Sequence, residues 1–399
     1  MEKHAKVENV SDISKPVIVF AGGGTAGHVN PLLATIAALK STELDFEPLV
    51  MGTSEGLESE LVPAAGYELL TIPRLPMPRR PSPDLVRLPV RMRHVVALLR
   101  DTFQARGVRL VVGFGGYVST PVYFAAKRLG IPIVIHEQNA RPGLANRVGA
   151  RYAAGIGLTF EGTGLKAKHG ETRVVGLPLR PQILELARQL EMPLTRDTAR
   201  AEAADFFGLS ATHPTVLITG GSLGAQRLNE VLPGALLRVF QENASAQVIH
   251  LTGKGKDGPV KNFVAKHHLE QRYQVRDYLT EMHYGLALAD CVVCRAGATT
   301  VAENTALAIP TLYVPLPIGN GEQALNARGV VQAAGAFLLE QPRLTESSAT
   351  ELLIRLLDPE QNAAMRAAAA QVGTTRGAEN LSALILSVLG ETTQNPEEV

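Results

Sequence analysis

His28 closes the run Gly22-Gly23-Gly24-Thr25-Ala26-Gly27-His28, and its type and place suit it to proton transfer. Moving a group onto a hydroxyl needs a base beside the acceptor oxygen, and an imidazole titrates in the useful range. The same residue can instead cap the loop, orient an acceptor, or hydrogen-bond a phosphate or backbone carbonyl, and position alone leaves these roles open. The loop itself says more. A strand precedes it and a helix follows, so backbone N–H groups gather at a helix N-terminus, where a diphosphate binds. Gly22, Gly24 and Gly27 also satisfy the G-x-G-x-x-G dinucleotide pattern, which requires an acid at the tip of the next strand to hold a ribose. That strand ends at Met51-Gly52-Thr53 with Glu55 beyond it, so the nicotinamide reading is weak.

Two further loops carry candidate chemistry. Gly220-Gly221-Ser222-Leu223-Gly224 joins a strand to a helix from about Gln226. Its hydroxyl and N–H groups suit a pyrophosphate, and fixed donors there would stabilise the charge of a departing nucleoside diphosphate. An ordinary tight turn reads the same way. In Cys294-Arg295-Ala296-Gly297-Ala298-Thr299-Thr300-Val301-Ala302-Glu303, small residues let a ligand approach the backbone. Glu303 could accept two ribose hydroxyls, although spacing fits a solvated helical glutamate equally well. Gln323, in the polar run Pro315–Gln323, and Asn139, in His136-Glu137-Gln138-Asn139, follow strands and could read sugar hydroxyls. Cys291 and Cys294 form C-x-x-C inside an apolar strand without a second pair, so they are expected to pack in a core. No Asp-x-Asp motif is present, and neither metal nor cofactor is expected.

The elements that must position these loops alternate. Strands are expected at Pro16–Ala21, Glu47–Met51, Leu110–Gly113 and Pro132–His136, with helical spacing over Pro31–Lys40. The pattern restarts after Gly176–Arg180, with strands at Thr215–Thr219, Gln247–Thr252, Cys291–Cys294 and Thr311–Val314. Alternation of this kind implies parallel sheets covered on both faces, an α/β fold. We read two tandem Rossmann-like domains, 1–178 and 179–375, with an interdomain cleft at the carboxyl ends of their strands.

Composition bounds the rest. Apolar residues make up 45% and charged residues 19%, enough for a sizeable core. Two cysteines fit a reducing compartment, and neither a signal-peptide pattern nor a bilayer-spanning run is seen, so a cytosolic protein is expected. Residues 1–176 hold 21 Lys/Arg against 15 Asp/Glu, so the first half should face something anionic. Aromatics at 5% and no Trp argue against nucleic acid. Nine arginines lie between Arg74 and Arg109, interleaved with prolines and with Val90, Val95, Val96, Leu98 and Leu99. Such a segment describes either a surface on anionic lipid, each charge contributing about 1 kcal/mol near the headgroups, or a loop and helix whose apolar face is core.

GGGTAGHVNP at Gly22–Pro31, GFGGYVSTP at Gly113–Pro121, IHEQN at Ile135–Asn139, GGSLGAQRLN at Gly220–Asn229, and CRAGATTVAE with PIGNGEQ together resemble the MurG family of peptidoglycan transferases. These motifs run in order from about residue 16 to 340. Members add N-acetylglucosamine from UDP to lipid I, forming lipid II. The resemblance implies a GT-B type fold, an inverting reaction without a structural metal, and a donor held mainly by the second domain. The implied donor residues are Arg180, Leu279 through its backbone, Ala298, Thr299, Thr300, Val301, Ala302 and Glu303 around uridine, Ser222 at the diphosphate and Gln323 at the sugar. Thr25, Ala26, Gly27 and Asn139 would line the donor or acceptor edge, and the acceptor diphosphate would lie near Gly24, Gly115 and Gly116. A C-terminal helix, about 376–391, would pack back on the first domain.

Implied partners are UDP-N-acetylglucosamine, lipid I in the inner leaflet, an anionic membrane surface and cell-wall synthesis proteins, with the chain peripheral on the cytoplasmic face. A lipid acceptor favours the membrane reading of the arginine-rich segment. Leu177 stands where members often have Asn, and Arg, Pro and Val replace an apolar, often aromatic patch. The rivals are another glycolipid or small-molecule glycosyltransferase, a UDP-sugar epimerase, an NAD-dependent oxidoreductase and a non-catalytic nucleotide sensor.

Overall fold

The computed structural model describes residues 15–73, 75, 83–221, 225–317 and 321–394. Seven parallel strands form the first sheet: β1 (Val17–Ala21), β2 (Glu47–Gly52), β3 (Glu68–Thr71), β4 (Val108–Gly113), β5 (Ile133–Glu137), β6 (Gly155–Leu158) and β7 (Glu171–Val174). Six more form the second: β8 (Thr215–Thr219), β9 (Gln247–Leu251), β10 (Tyr273–Arg276), β11 (Cys291–Cys294), β12 (Thr311–Tyr313) and β13 (Ala336–Leu338).

Both sheets are covered on both faces, as continuous apolar strands require. Along β1, Val17, Val19 and Ala21 enter one core cluster while Ile18 and Phe20 enter another. Along β8, Leu217 faces one cluster and Val216 and Ile218 the other. The period of two that flips successive side chains therefore builds two cores per sheet.

Strand order places the loops. The first sheet runs β3-β2-β1-β4-β5-β6-β7 and the second β10-β9-β8-β11-β12-β13. In each, the order reverses beside the first strand of the half, between β1 and β4 and between β8 and β11. Chains leaving neighbouring strands there diverge to opposite faces and leave a crevice at the carboxyl ends. The loops after β1, β4, β8 and β11 are those singled out in the sequence.

The helix Gly377–Gln394 returns to the first sheet. Leu381, Leu384, Ile385, Val388 and Leu389 share a core cluster with Ile18, Phe20, Leu32 and Ile36. Gly155 and Gly157 of β6 permit this approach, since a Cβ on Gly155 would lie 3.2 Å from Leu384 Cδ1. Asn380 fixes its start by donating to the Val175 carbonyl at 3.0 Å.

Several strand ends differ from expectation by one or two residues, and the first helix differs by five. The first helix begins at Ala26 rather than Pro31, so His28 sits in its first turn. Pro31 is accommodated inside it because only the hydrogen bond to the Gly27 carbonyl, four residues back, is forfeited so near the helix start.

Candidate active site

The first glycine loop is held from behind by a carboxylate. Glu58, at the start of the helix Glu58–Ala64, is completely buried. Its Oε2 accepts from Gly24 N–H at 2.8 Å, and its Oε1 accepts from Thr53 N–H at 2.9 Å and the Thr53 hydroxyl at 2.8 Å. Three glycines make room for it. A Cβ would lie 2.4 Å from Oε1 if built on Gly23, 2.1 Å from Oε2 on Gly56, and 2.5 Å from Cγ on Gly52. Burial alone would raise this carboxyl, but hydrogen bonds from Gly24, its own backbone and Thr53 outweigh it and hold Glu58 below the usual carboxylate range. The acid sought at the tip of β2 therefore exists as Glu58, not Glu55. It is spent on the loop, not presented to a ribose. The G-x-x-x-G-x-E spacing over Gly52–Glu58 was the available signal.

His28 stands in front of that loop, half-buried. Its Nδ1 lies 3.0 Å from the Thr25 hydroxyl. Burial pushes the imidazole below its ordinary value, against the Gly23 carbonyl and the Glu58 charge, which both raise it. A neutral imidazole at pH 7 is ready to accept a proton. The β4 loop closes over the same place. A Cβ on Gly115 would lie 3.6 Å from His28 Cδ2, and one on Gly116 would lie 3.0 Å from the Gly23 carbonyl oxygen.

The β5 loop is organised by a second buried carboxylate. Glu137 accepts from Asn139 N–H at 3.0 Å, Gly143 N–H at 3.1 Å and Asn146 Nδ2 at 2.9 Å. Burial nevertheless leaves its carboxyl above the usual range. Asn146 Oδ1 also accepts from the Tyr123 hydroxyl, tying the β5 loop to the helix Ser119–Arg128. Beside them, His136 Nε2 meets the Gly176 carbonyl at 2.9 Å, linking β5 to the crossing segment Gly176–Arg180, which leads from the first sheet to the second.

Across the cleft, Arg180 and Glu303 meet. Arg180 Nε donates to Glu303 Oε1 at 2.8 Å, and Nη2 stands 2.7 Å from the same oxygen in an ion pair. The solvated reading of Glu303 is thus overturned: the residue is 6% exposed, and burial pushes its carboxyl up against the opposing pull of Arg180. The helix Ala298–Ala306 carries Thr299, Thr300 and Ala302 half-exposed at the cleft, while Ala298 and Val301 turn into the second domain. Gly27 faces this helix, since a Cβ on it would lie 3.8 Å from Thr299 Oγ1. Two helix N-termini, one from each domain, therefore converge.

Asn326, buried and not foreseen from the sequence, joins the domains directly. Its Oδ1 accepts from Ala140 N–H at 2.8 Å, while Nδ2 donates to the Ala296 carbonyl at 3.1 Å and approaches Asn139 Oδ1 at 3.4 Å. Gln323, one turn earlier, accepts from Leu316 N–H at 2.9 Å. Leu279 packs in the core below the cleft. Ser222 lies outside the described residues, and of its loop Gly221 donates to the Thr219 hydroxyl.

Cys291 and Cys294, three apart on a strand, point to opposite faces and enter different cores. Both thiols are free, and burial pushes them up, as core packing requires. Among the described residues no group of three or more His, Cys, Asp or Glu could hold a metal ion. The arginine-rich segment divides. Val95, Val96 and Leu99 enter the core, whereas Val90 and Leu98 are 68% and 50% exposed beside exposed Arg87, Arg91 and Arg93. Its part from Arg74 to Ser82, apart from Leu75, lies outside the described residues.

Two parallel doubly wound sheets, with their switch points facing across a cleft, define the two-domain fold of GT-B type, and family models place the chain among glycosyltransferases. Residues 18–158 match the glycosyltransferase family 28 N-terminal domain and 215–392 its C-terminal domain. Relatives narrow this further. The chain is 45% identical over 381 residues, 95% of its length and 98% of the relative's, to the UDP-N-acetylglucosamine–N-acetylmuramyl-(pentapeptide) pyrophosphoryl-undecaprenol N-acetylglucosamine transferase of Clavibacter sepedonicus. It is 46% identical to the Leifsonia xyli enzyme of the same name, covering 92% of this chain and 97% of that one. The crystal structure of Acinetobacter baumannii MurG superposes with a TM-score of 0.73 at 26% identity, covering 94% of this chain and all of that one. The chain belongs to the MurG family of these transferases.

Proposed function

We propose that the protein transfers N-acetylglucosamine from UDP-N-acetylglucosamine to the muramyl 4-hydroxyl of lipid I, with inversion, forming lipid II. The observation that carries the mechanism is the convergence of the two switch-point loops, with His28 and Gly27 on one side and Thr299 and Glu303 on the other. The acceptor oxygen bonds to the anomeric carbon as the bond from that carbon to the diphosphate oxygen breaks, and that electron pair departs with UDP. The hydroxyl proton passes to His28, whose depressed pKa leaves it unprotonated beforehand.

In this reading the second domain holds the donor. Arg180, the Leu279 backbone and Ala298–Glu303 surround the uridine, Ser222 meets the diphosphate and Gln323 the sugar. Thr25, Ala26, Gly27 and Asn139 line the facing edge. Because Gly24 N–H is already donated to Glu58, the acceptor diphosphate would draw on the other N–H groups of this loop and on Gly115 and Gly116. The division is 1–178 for the acceptor and 179–375 for the donor, with the terminal helix returning to the first.

Exposed Val90 and Leu98 among Arg87, Arg91 and Arg93 support a peripheral seat on an anionic cytoplasmic leaflet, where cell-wall synthesis proteins would be neighbours. Among the described residues no helix is long and apolar enough to cross a membrane. The test is incubation of the full chain with labelled UDP-N-acetylglucosamine and a lipid I analogue, with UDP-glucose and UDP-galactose in parallel. Acceptor-dependent transfer of N-acetylglucosamine alone is expected. Bound UDP without transfer would overturn the assignment of the acceptor.

A further inference from the structure

Glu58 is a fully buried carboxylate that the transfer chemistry above does not use, yet three glycines are hollowed around it. Gly23, Gly52 and Gly56 each come so close that a single added carbon would strike its side chain. Space of that kind, made by Gly52 and Gly56 on its own turn and by Gly23 on the loop after β1, is shaped to this side chain. Its two oxygens grip two loops at once, Gly24 after β1 and Thr53 after β2. Gly24 is held at φ +86°, a left-handed conformation that the hydrogen bond to Glu58 fixes. The Gly23 carbonyl faces His28, and Gly23 packs so closely on Glu58 that a Cβ there would lie 2.4 Å from Oε1, which sets the carboxylate behind the loop that carries the imidazole.

We propose that Glu58 is a positioning residue for transfer, its carboxylate locking the first glycine loop and backing the imidazole of His28. The second half of this statement rests on the reading of His28 as the base. When His28 takes the acceptor proton it becomes a cation in a site that burial has made hostile to charge. Among the described residues, Glu58 is the charged group that acts on it. Its other close neighbours are neutral: the Thr25 hydroxyl, the Gly23 carbonyl and the Gly115 backbone of the β4 loop. A buried anion behind an imidazole stabilises the protonated form without touching the substrate.

Glu58→Gln keeps the shape and one acceptor oxygen but removes the charge and turns an amide N–H₂ toward the Gly24 N–H. The experiment measures kcat, both KM values and the pH profile with UDP-N-acetylglucosamine and a lipid I analogue, with UDP binding by calorimetry as a check on the second domain. We expect roughly tenfold or greater loss of kcat from the displaced loop, with donor KM within about twofold. The acid limb of kcat/KM should move to lower pH, because the imidazolium has lost its counter-charge. Glu58→Asp, which keeps the charge, should restore the limb while recovering only part of kcat. Wild-type kcat and an unmoved limb in Glu58→Gln overturn the proposal.

Should Glu58→Gln fail to bind UDP, Thr53→Val decides. It removes one hydroxyl donor from the same carboxylate, and unchanged turnover there overturns the proposal. The His28→Ala background separates the two readings. If His28→Ala alone keeps near-normal turnover, the base assignment fails, and the loop role is judged by Glu58→Gln kcat. If His28→Ala is slow and Glu58→Gln costs its full factor again in that background, the coupling to His28 is overturned.

Discussion

Arg180 and Glu303, 123 residues apart, share one carboxylate oxygen at 2.8 and 2.7 Å across the seam where the crossing segment meets the second domain. The two partners differ in burial: 28% of the Arg180 side chain is exposed but only 8% of that of Glu303. Removing either should therefore not cost the same. Arg180→Met strands a buried carboxylate and is expected to lose about 3 kcal/mol of stability. Glu303→Gln leaves a partly hydrated guanidinium and should lose about 1 kcal/mol. Both should raise donor KM if Glu303 reads the ribose. Urea titration of the pair gives the asymmetry, and equal losses would show that water reaches Glu303.

Much of this site was readable because its loops follow strands, and strands with two buried faces announce themselves as apolar runs. Thr215–Thr219 and Cys291–Cys294 occupy the very residues their hydrophobicity marks. What escaped were polar residues whose partners are distant in sequence. Asn326 looks like any helical asparagine until the fold brings Ala140 to it from 186 residues away. Glu58 sits in a polar turn whose G-x-x-x-G-x-E spacing hints at a cradle, but its remaining wall, Gly23, comes from another loop and shows only in the fold. The start of the first helix was missed because Pro31 disguised the five helical residues before it. In the arginine-rich segment, hydrophobicity could not tell Val95 from Val90, since facing the core or the solvent depends on what packs alongside.

Asn326 offers a direct probe of how the halves hold together. Asn326→Asp preserves the Oδ1 that accepts from Ala140 but loses the donor to the Ala296 carbonyl and places a charge where the residue is 1% exposed. We expect loss of about 2 kcal/mol at pH 8 and at least tenfold lower kcat, because the cleft edge shifts. Asn326→Ala should lose less stability, having no charge to bury. Equal unfolding midpoints for wild type and Asn326→Asp would count against a tight seam.

Gly116 is constrained twice. Its φ of +81° disfavours any side chain, and a Cβ there would press to 3.0 Å on the Gly23 carbonyl. Gly116→Ala is therefore expected to cost about 1–2 kcal/mol and to push the first glycine loop toward the cleft. The kinetic signature should be a fall in kcat and a rise in acceptor KM, with donor KM unmoved if the second domain holds the donor as proposed. A rise confined to donor KM would reverse the assignment of the two domains.

His250, inside β9, makes the stability of the second domain sensitive to acid. It is fully buried, with Nδ1 2.9 Å from the Tyr273 hydroxyl and Nε2 3.0 Å from Asn229 Oδ1. Burial pushes its pKa down to about 3. An unfolded chain binds a proton at this residue below about pH 6.5 while the folded chain does not, so stability present above that pH is lost as pH falls toward 3. His136, pushed down to about 4 by burial, acts in the same sense, whereas Glu137 and Glu303, whose carboxyls are raised, act in the opposite one. Comparing wild type with His250→Gln cancels those shared contributions. The variant should be less stable at pH 7.5, where its hydrogen bonds are imperfect, but the gap should narrow by about 2 kcal/mol by pH 5. Urea unfolding at the two pH values measures it. A gap that stays constant would mean that His250 is charged in the folded protein, which its partners and burial argue against.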